Sequence, residues 1–170
     1  KTAYEISTRD WSSDVCSSDL QASVIDVSRQ PVDRTRMKER GQELNRDYPG
    51  LEVVYVTGPL FFGNISTFRE AVADVPTSST LILSLRGMPT LDAVGVQAIE
   101  ETIRRQDHGG GSVHLVGLQP ASRRRLERSG ILERLGTGHV HWSADQAITA
   151  ITAITAITAI DANHQIGRAH

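Results

Sequence analysis

The sequence predicts an α/β domain with a mainly parallel or mixed sheet. Three observations predict it. From Leu51 onward, short β-branched runs alternate with segments of helical period, a pattern that layers helices on a sheet. Thr80–Leu85 (TLILSL) is almost continuously apolar, as a central strand covered on both faces must be. The loop behind it, Arg86–Gly95 (RGMPTLDAVG), holds a Pro, an Asp placed to cap a helix, and a Gly in that helix's first turn.

The elements follow in order. Leu51–Thr57 (LEVVYVT) is β-branched and half alternating, which predicts a strand. Gly58 and Pro59 turn the chain. Leu60, Phe61 and Phe62 predict a short second strand, broken at Gly63, and Asn64 stands as an N-cap. The helix behind it carries Ile65, Phe68, Ala71, Val72 and Val75 on one face and Arg69, Glu70 and Asp74 on the other, and Pro76 ends it. After Thr80–Leu85, a helix over Ala93–His108 buries Val96, Ile99, Thr102 and Ile103. Its outer face pairs Glu100 with Arg104 and Glu101 with Arg105 in the favourable order. Gly109, Gly110 and Gly111 stop it.

Ser112–Gly117 (SVHLVG) is the next predicted strand. Pro120 suits the first turn of a helix running through Arg123, Arg124, Arg125 and Leu126 to Gly130, after which Ile131 and Leu132 fold back as core. His139–Trp142 predicts an edge strand. Ser143 and Gln146 form a capping box that opens the last helix. That helix enters a strict Ala-Ile-Thr repeat from Ala147 to Ile160. A helix has about 3.6 residues per turn, so a period of three drifts around its surface. The first turns, with Ala147, Ile148 and Ile151, are expected to dock on the sheet. The remainder carries the mark of a tandem DNA repeat.

The two ends are foreign in character. Val15–Leu20 can be encoded by GTG TGC TCT TCC GAT CTG, and the reverse complement of that string encodes Gln165–His170. Inverted flanks of this kind arise when a DNA fragment is ligated between adapters, and Lys1–Asp14 resembles the outer part of the same adapter. Residues 1–20 and 165–170 are therefore set aside as adapter-derived. The single cysteine, Cys16, falls in that flank and is not read as a nucleophile. Residues 21–50 are polar and charged, with Pro31, Pro49 and Gly50 as breakers, and predict a linker. Within it, Arg34–Asp47 has a weak helical stripe, and Arg34, Arg36, Lys38 and Arg40 form a basic cluster suited to a solvated linker or to anionic lipid headgroups. The domain proper is expected over 51–160.

Composition excludes several classes. With 18 Lys and Arg against 20 Asp and Glu, the net charge is −2, which gives no polycation for nucleic acid. Aromatics are 5%, too few for a base-stacking platform. No apolar run approaches the roughly 20 residues that span a bilayer. There is no GxGxxG, P-loop, GxSxG or HExxH, so no cofactor and no catalytic residue is expected. His114, His139 and His141 could begin a metal site, but imidazoles on an edge strand are the more economical reading. Arg123–Arg125 could grip an anion or an acidic partner, and Asn64, Arg123 and Arg124 are kept as ligand or partner contacts. Asp92 is explained by helix capping alone. A loop at the carboxyl end of a central strand is nevertheless where α/β domains place their sites.

At this junction the residues resemble a STAS domain, the module shared by sulfate transporters and anti-sigma factor antagonists. The family's Asp-Ser-Ser-Gly pattern stands here as Asp92-Ala93-Val94-Gly95. Gly58-Pro59-Leu60-Phe61-Phe62-Gly63-Asn64 is similar to the opening of the STAS domain that ends SulP anion transporters, and Ser129-Gly130-Ile131-Leu132 to the close of the third helix. The resemblance implies a single sheet of four to five mixed strands with helices mainly on one face. In stand-alone antagonists the Ser after the motif Asp is the phosphosite. Here that position is Ala93, so no serine phospho-switch is expected there, and Thr90 does not align with it. The resemblance therefore implies a non-enzymatic domain at the cytoplasmic face of the membrane. Its partners would be the membrane domain of a parent transporter or a second copy of itself, and its contact surface Thr90, Leu91, Asp92, Ala93, Val94 and Gly95. The alternatives are a partner-switching antagonist and a small nucleotide- or anion-binding module.

Overall fold

The computed structural model describes residues 25–30 and 50–166. The helix expected over Arg34–Asp47, with its basic cluster, and the flank at 1–20 lie outside the described residues. Five strands form one sheet in sequence order: β1 (Asp26–Gln30), β2 (Leu51–Thr57), β3 (Thr80–Gly87), β4 (Ser112–Val116) and β5 (Val140–His141). β1 runs antiparallel to β2, and the other neighbours are parallel. The helices are α1 (Ile65–Ala73), α2 (Ala93–His108), α3 (Pro120–Arg128), α4 (Ile131–Leu135) and α5 (Ala144–Ile166). This is the mixed five-stranded α/β layer that the sequence predicts.

Strand β1 was expected to be linker. Its sequence, DVSRQ, has one apolar residue, so alternation gives no strand signal. Its place comes from partners instead. The backbone pairs with β2 from Asp26 opposite Thr57 to Gln30 opposite Val53, and the Arg29 guanidinium forks onto the Glu52 carboxylate. Leu60–Phe62 is likewise not a strand. Leu60 makes one isolated parallel bridge with Leu91, and Phe62–Asn64 winds into a 3₁₀ turn.

Side chains alternate along the central strand. Leu81, Leu83 and Leu85 face α1, α2 and α3 through Phe68, Ile99 and Leu126, all fully buried. Ile82 points the other way and meets Ala147 and Ile148 of α5. Helices thus lie mainly on one face, with α5 on the other. In α2 the buried positions are Gly95, Ala98, Ile99, Thr102, Ile103 and Gln106, the expected helical stripe extended at both ends. Val96, expected in the core, is only half-buried.

Of the two expected ion pairs on α2, Glu100–Arg104 forms at 2.7 Å. Glu101 instead pairs with Arg69 of α1 at 2.9 Å. Arg105 donates to the carbonyls of Val72 and Val75, each at 2.6 Å. The last carbonyls of a helix lack intrahelical donors, and α1 brings them against Arg105, where they outcompete an exposed carboxylate. Gln106, fully buried, donates to the Pro76 and Ser79 carbonyls at 3.1 and 3.2 Å and ties the end of α2 to the turn before β3.

The start of α5 is capped as its sequence predicts. Ser143 accepts from the Gln146 N–H at 3.2 Å, while the Gln146 side chain accepts from the Trp142 N–H at 2.8 Å. Ala147 and Ile148 are buried, Ile151 packs at the margin, and the repeat then leaves the sheet: Ile154 and Ile157 are 59% and 61% exposed.

Beside α5, three imidazoles gather. His114 on β4 points to the α5 side and is 4% exposed. His139 stacks on it at 4.4 Å between centroids, and His114 Nδ1 lies 3.0 Å from His141 Nε2. Burial, followed by the neighbouring imidazoles, lowers the His114 pKa from 6.5 to about 4, and burial lowers that of His141. A base whose folded pKa is depressed contributes its full stability above the unfolded value and loses it as pH falls towards the folded one. The domain is therefore expected to lose up to about 3 kcal/mol from His114 between pH 6.5 and 4. Urea denaturation across this range should show that loss in the wild type and a flatter profile in His114→Gln.

Candidate functional site

The carboxyl ends of β2 and β3 lead into two loops that are hydrogen-bonded to each other. Backbone bonds run from Gly58 N–H to the Gly87 carbonyl at 2.9 Å and from Leu60 N–H to the Thr90 carbonyl at 3.0 Å. A third returns from Asp92 N–H to the Leu60 carbonyl at 3.1 Å. The Asp92 side chain completes the joint. Its Oδ1 accepts from the Gly95 N–H at 2.7 Å, which caps α2, and its Oδ2 accepts from the Phe62 N–H at 3.0 Å. One carboxylate thus starts the helix and holds the other loop. Capping was legible in the sequence; the bond to Phe62 was not, because it joins residues 30 apart.

Asn64 braces the first loop rather than capping α1 through its side chain. Its Oδ1 accepts from the Phe61 N–H at 3.0 Å and its Nδ2 donates to the Pro59 carbonyl at 2.7 Å. Buried as it is, Asn64 shapes the loop from inside and is not a surface contact. Gly95 is fixed by space: a Cβ there would come within 2.6 Å of Leu91 Cδ1 and 3.0 Å of the Leu60 carbonyl. The absent side chain is what lets α2 start against the Leu60 loop.

The expected contact stretch therefore divides. Thr90 and Ala93 are exposed, Asp92 and Val94 are half-buried, and Leu91 and Gly95 belong to the core. Two side chains that sequence reasoning did not assign to a surface stand at the same end of the sheet. Phe62 is 76% exposed, and Trp142 is 77% exposed with the Arg86 guanidinium 5.9 Å from its ring centre. Phe62 escaped notice because three consecutive apolar residues signal a buried strand. Exposed aromatics at a loop cluster suit protein contact.

Next to Ala93, a cavity of about 600 Å³ opens between α2 and α3, lined by Ala93, Val96, Ala121, Arg124, Arg125, Arg128 and Ser129. Arg124 lines this cavity. Arg123 is bound at 3.0 Å to Glu127 along its own helix. Among the described residues no group of three His, Cys, Asp or Glu side chains could hold a metal ion. In the imidazole cluster, His114 Nδ1 faces His141 Nε2 at 3.0 Å and His139 Nδ1 lies 3.0 Å from the Val113 carbonyl. The Asp92 carboxylate accepts two backbone bonds, and the residue behind it carries no hydroxyl, so the junction supplies rigidity and a surface.

Asp92→Ala removes both bonds and is expected to cost about 1–3 kcal/mol in urea denaturation. Gly95→Ala should destabilise the fold as well, despite the higher helix propensity of Ala, because its Cβ has no room.

Comparison with known proteins agrees with this geometry. The chain is 27% identical over 146 residues to Glutaminase 2 of Bradyrhizobium diazoefficiens, a match covering 76% of this chain and 23% of that one. It spans about a fifth to a quarter of the length of the curated relatives it matches. Among solved structures, the SulP transporter STAS domain of Vibrio cholerae is 27% identical, covers 74% of this chain and 95% of its own, and superposes with a TM-score of 0.54. An anti-sigma factor antagonist of Mycobacterium paratuberculosis has the same fold, with 21% identity, 76% and 95% coverage and a TM-score of 0.58. The STAS domain family model matches residues 45–147, and a capped, glycine-dependent junction between β3 and α2 lies at the centre of that match: the chain belongs to the STAS domain family.

Proposed function

We propose that this chain is the non-enzymatic STAS domain of a SulP-type anion transporter, placed at the cytoplasmic face of the membrane, where it supports or regulates transport by protein–protein contact. The observation that carries this reading is Ala93. It stands exposed at the first position of α2, behind the capping Asp92, where a partner-switching antagonist would need a hydroxyl. The likeness to the Vibrio cholerae transporter domain, nearly complete for that domain, supports the same branch. Among the described residues no helix is long and apolar enough to cross a membrane, so the anion pathway would belong to the parent's membrane domain. That membrane domain is the proposed partner, with Phe62, Thr90, Ala93 and the outer face of α2 as the contact surface. A second copy of the chain is the other.

A second reading has its own observation. The match to Glutaminase 2 covers 76% of this chain, so the domain could equally be appended to an enzyme of that kind and serve it as an interaction module. The same surface would then face a different neighbour.

The gene sequence upstream of the codon for Gln21 separates these readings. The transporter reading predicts a series of hydrophobic helices there. A start codon close to Gln21, or a glutaminase coding region, would sink it. Phosphate mapping after incubation with a serine kinase of an antagonist pathway is expected to find residues 90–95 unmodified. Stoichiometric phosphate on Thr90 would instead support the antagonist alternative.

A further inference from the structure

We propose that the groove between the start of α2 and α3 seats an acidic helix of a partner protein, its carboxylates meeting Arg124, Arg125 and Arg128. The inference rests on the reading of this domain as a protein-interaction module, and it names the chemistry of what is bound.

The groove has the two parts such a site needs. Ala93, Val96 and Ala121 give a floor of small apolar side chains, and Arg124, Arg125 and Arg128 form its cationic wall. At about 600 Å³ it has room for side chains from a docked segment. No acidic group of this chain is ion-paired with these three arginines among the described residues. The nearby acids are already engaged: Glu100 binds Arg104 at 2.7 Å and Arg134 at 3.0 Å, and Glu127 binds Arg123 at 3.0 Å. Three exposed guanidinium groups held on one helix, with no ion pair among the described residues, repel one another, and a partner's carboxylates would relieve that repulsion.

The spacing favours a helix as occupant. Arg124 and Arg128 are one turn apart on α3, so their side chains project about 5–6 Å apart, the separation of carboxylates at i and i+4 on a facing helix. Planar guanidinium forks can also bind carboxylates bidentately. Apolar residues on the same face of the incoming helix would meet Ala93 and Val96. The position that lacks a phosphorylatable hydroxyl is thus the position where a small side chain leaves the groove open. A lipid surface fits less well, because a flat bilayer would not use the recess behind Ala93.

The test uses fluorescence anisotropy with this chain and a labelled helical peptide carrying Glu at i and i+4 with Leu on the same face. Its Glu-to-Gln counterpart and vesicles of phosphatidylserine and phosphatidylcholine are the comparison probes. We expect the acidic peptide to bind, the Gln peptide to bind at least tenfold more weakly, and affinity to fall as salt rises. Arg124→Glu and Arg128→Glu should each weaken binding about tenfold, whereas Arg69→Glu, the same charge change on α1 and outside the groove, should leave it within about twofold. Ala93→Trp, which fills the recess and keeps every charge, should also abolish binding. All four positions are exposed, and circular dichroism of each variant checks that it folds. No binding of the acidic peptide, equal loss with Arg69→Glu, an unaffected Ala93→Trp, or Arg124-dependent binding of the vesicles alone would each overturn the proposal. The upstream gene sequence decides the transporter reading separately. Failure of the peptide with hydrophobic helices upstream removes only the groove; binding without such helices removes only the transporter.

Discussion

One carboxylate organises the working end of this domain. Asp92 accepts from Gly95 N–H and from Phe62 N–H, and so joins the first turn of α2 to a loop that precedes it by 30 residues. Everything proposed for the surface depends on this joint. It sets where α2 begins, and therefore that Ala93 faces out and Gly95 faces in. It holds the Phe62 backbone while the ring stands in solvent. It also fixes the wall of the groove opposite α3. The joint is closed by packing as much as by hydrogen bonds, because Gly95 leaves no space between α2 and Leu60. A carboxylate committed to two backbone donors is a structural device, and this is why the junction is better understood as a shaped surface than as a reactive centre.

Much of the fold was legible in the sequence because its signals were local. The apolar run of Thr80–Leu85, the helical stripe of α2, the glycines after His108 and the Ser143–Gln146 cap each sit in one window of the chain. What the sequence did not show was set by contacts between distant residues. Strand β1 is held by its pairing with β2 and by Arg29 on Glu52, not by its own composition. Arg105 was assigned to Glu101 by the i,i+4 rule, but the carbonyls at the end of α1 take it. Asn64 has the residue type of a helix cap and acts as the brace of a turn. The same division holds at the candidate site: the motif located the junction and the Arg123–Arg125 run, while the structure removed Leu91 and Gly95 from the surface and supplied Phe62 and Arg128.

The functional reading follows from what surrounds Asp92. Exposed Phe62 and Ala93, the groove-lining Arg124, Arg125 and Arg128, which carry no ion pair among the described residues, and a rigid backbone between them form a surface that can recognise another protein. The face behind the sheet is of a different kind. There α5 covers Ile82, and His114 lies buried on the same side with its pKa lowered by that burial, so acid rather than a partner is what would loosen this face. Two sides of one sheet thus carry separate properties, because side chains on successive residues of β3 and β4 point to opposite layers.

The central claim is that a single carboxylate closes both loops at once. Amide hydrogen exchange at Phe62 and Gly95, followed by NMR in the wild type and in Asp92→Ala, tests it most directly. The account predicts that both amides are protected in the wild type and that both lose protection together in the variant, while amides in β3 stay protected. Loss at Gly95 alone, with Phe62 unchanged, would show that Asp92 is only a helix cap and would contradict the account.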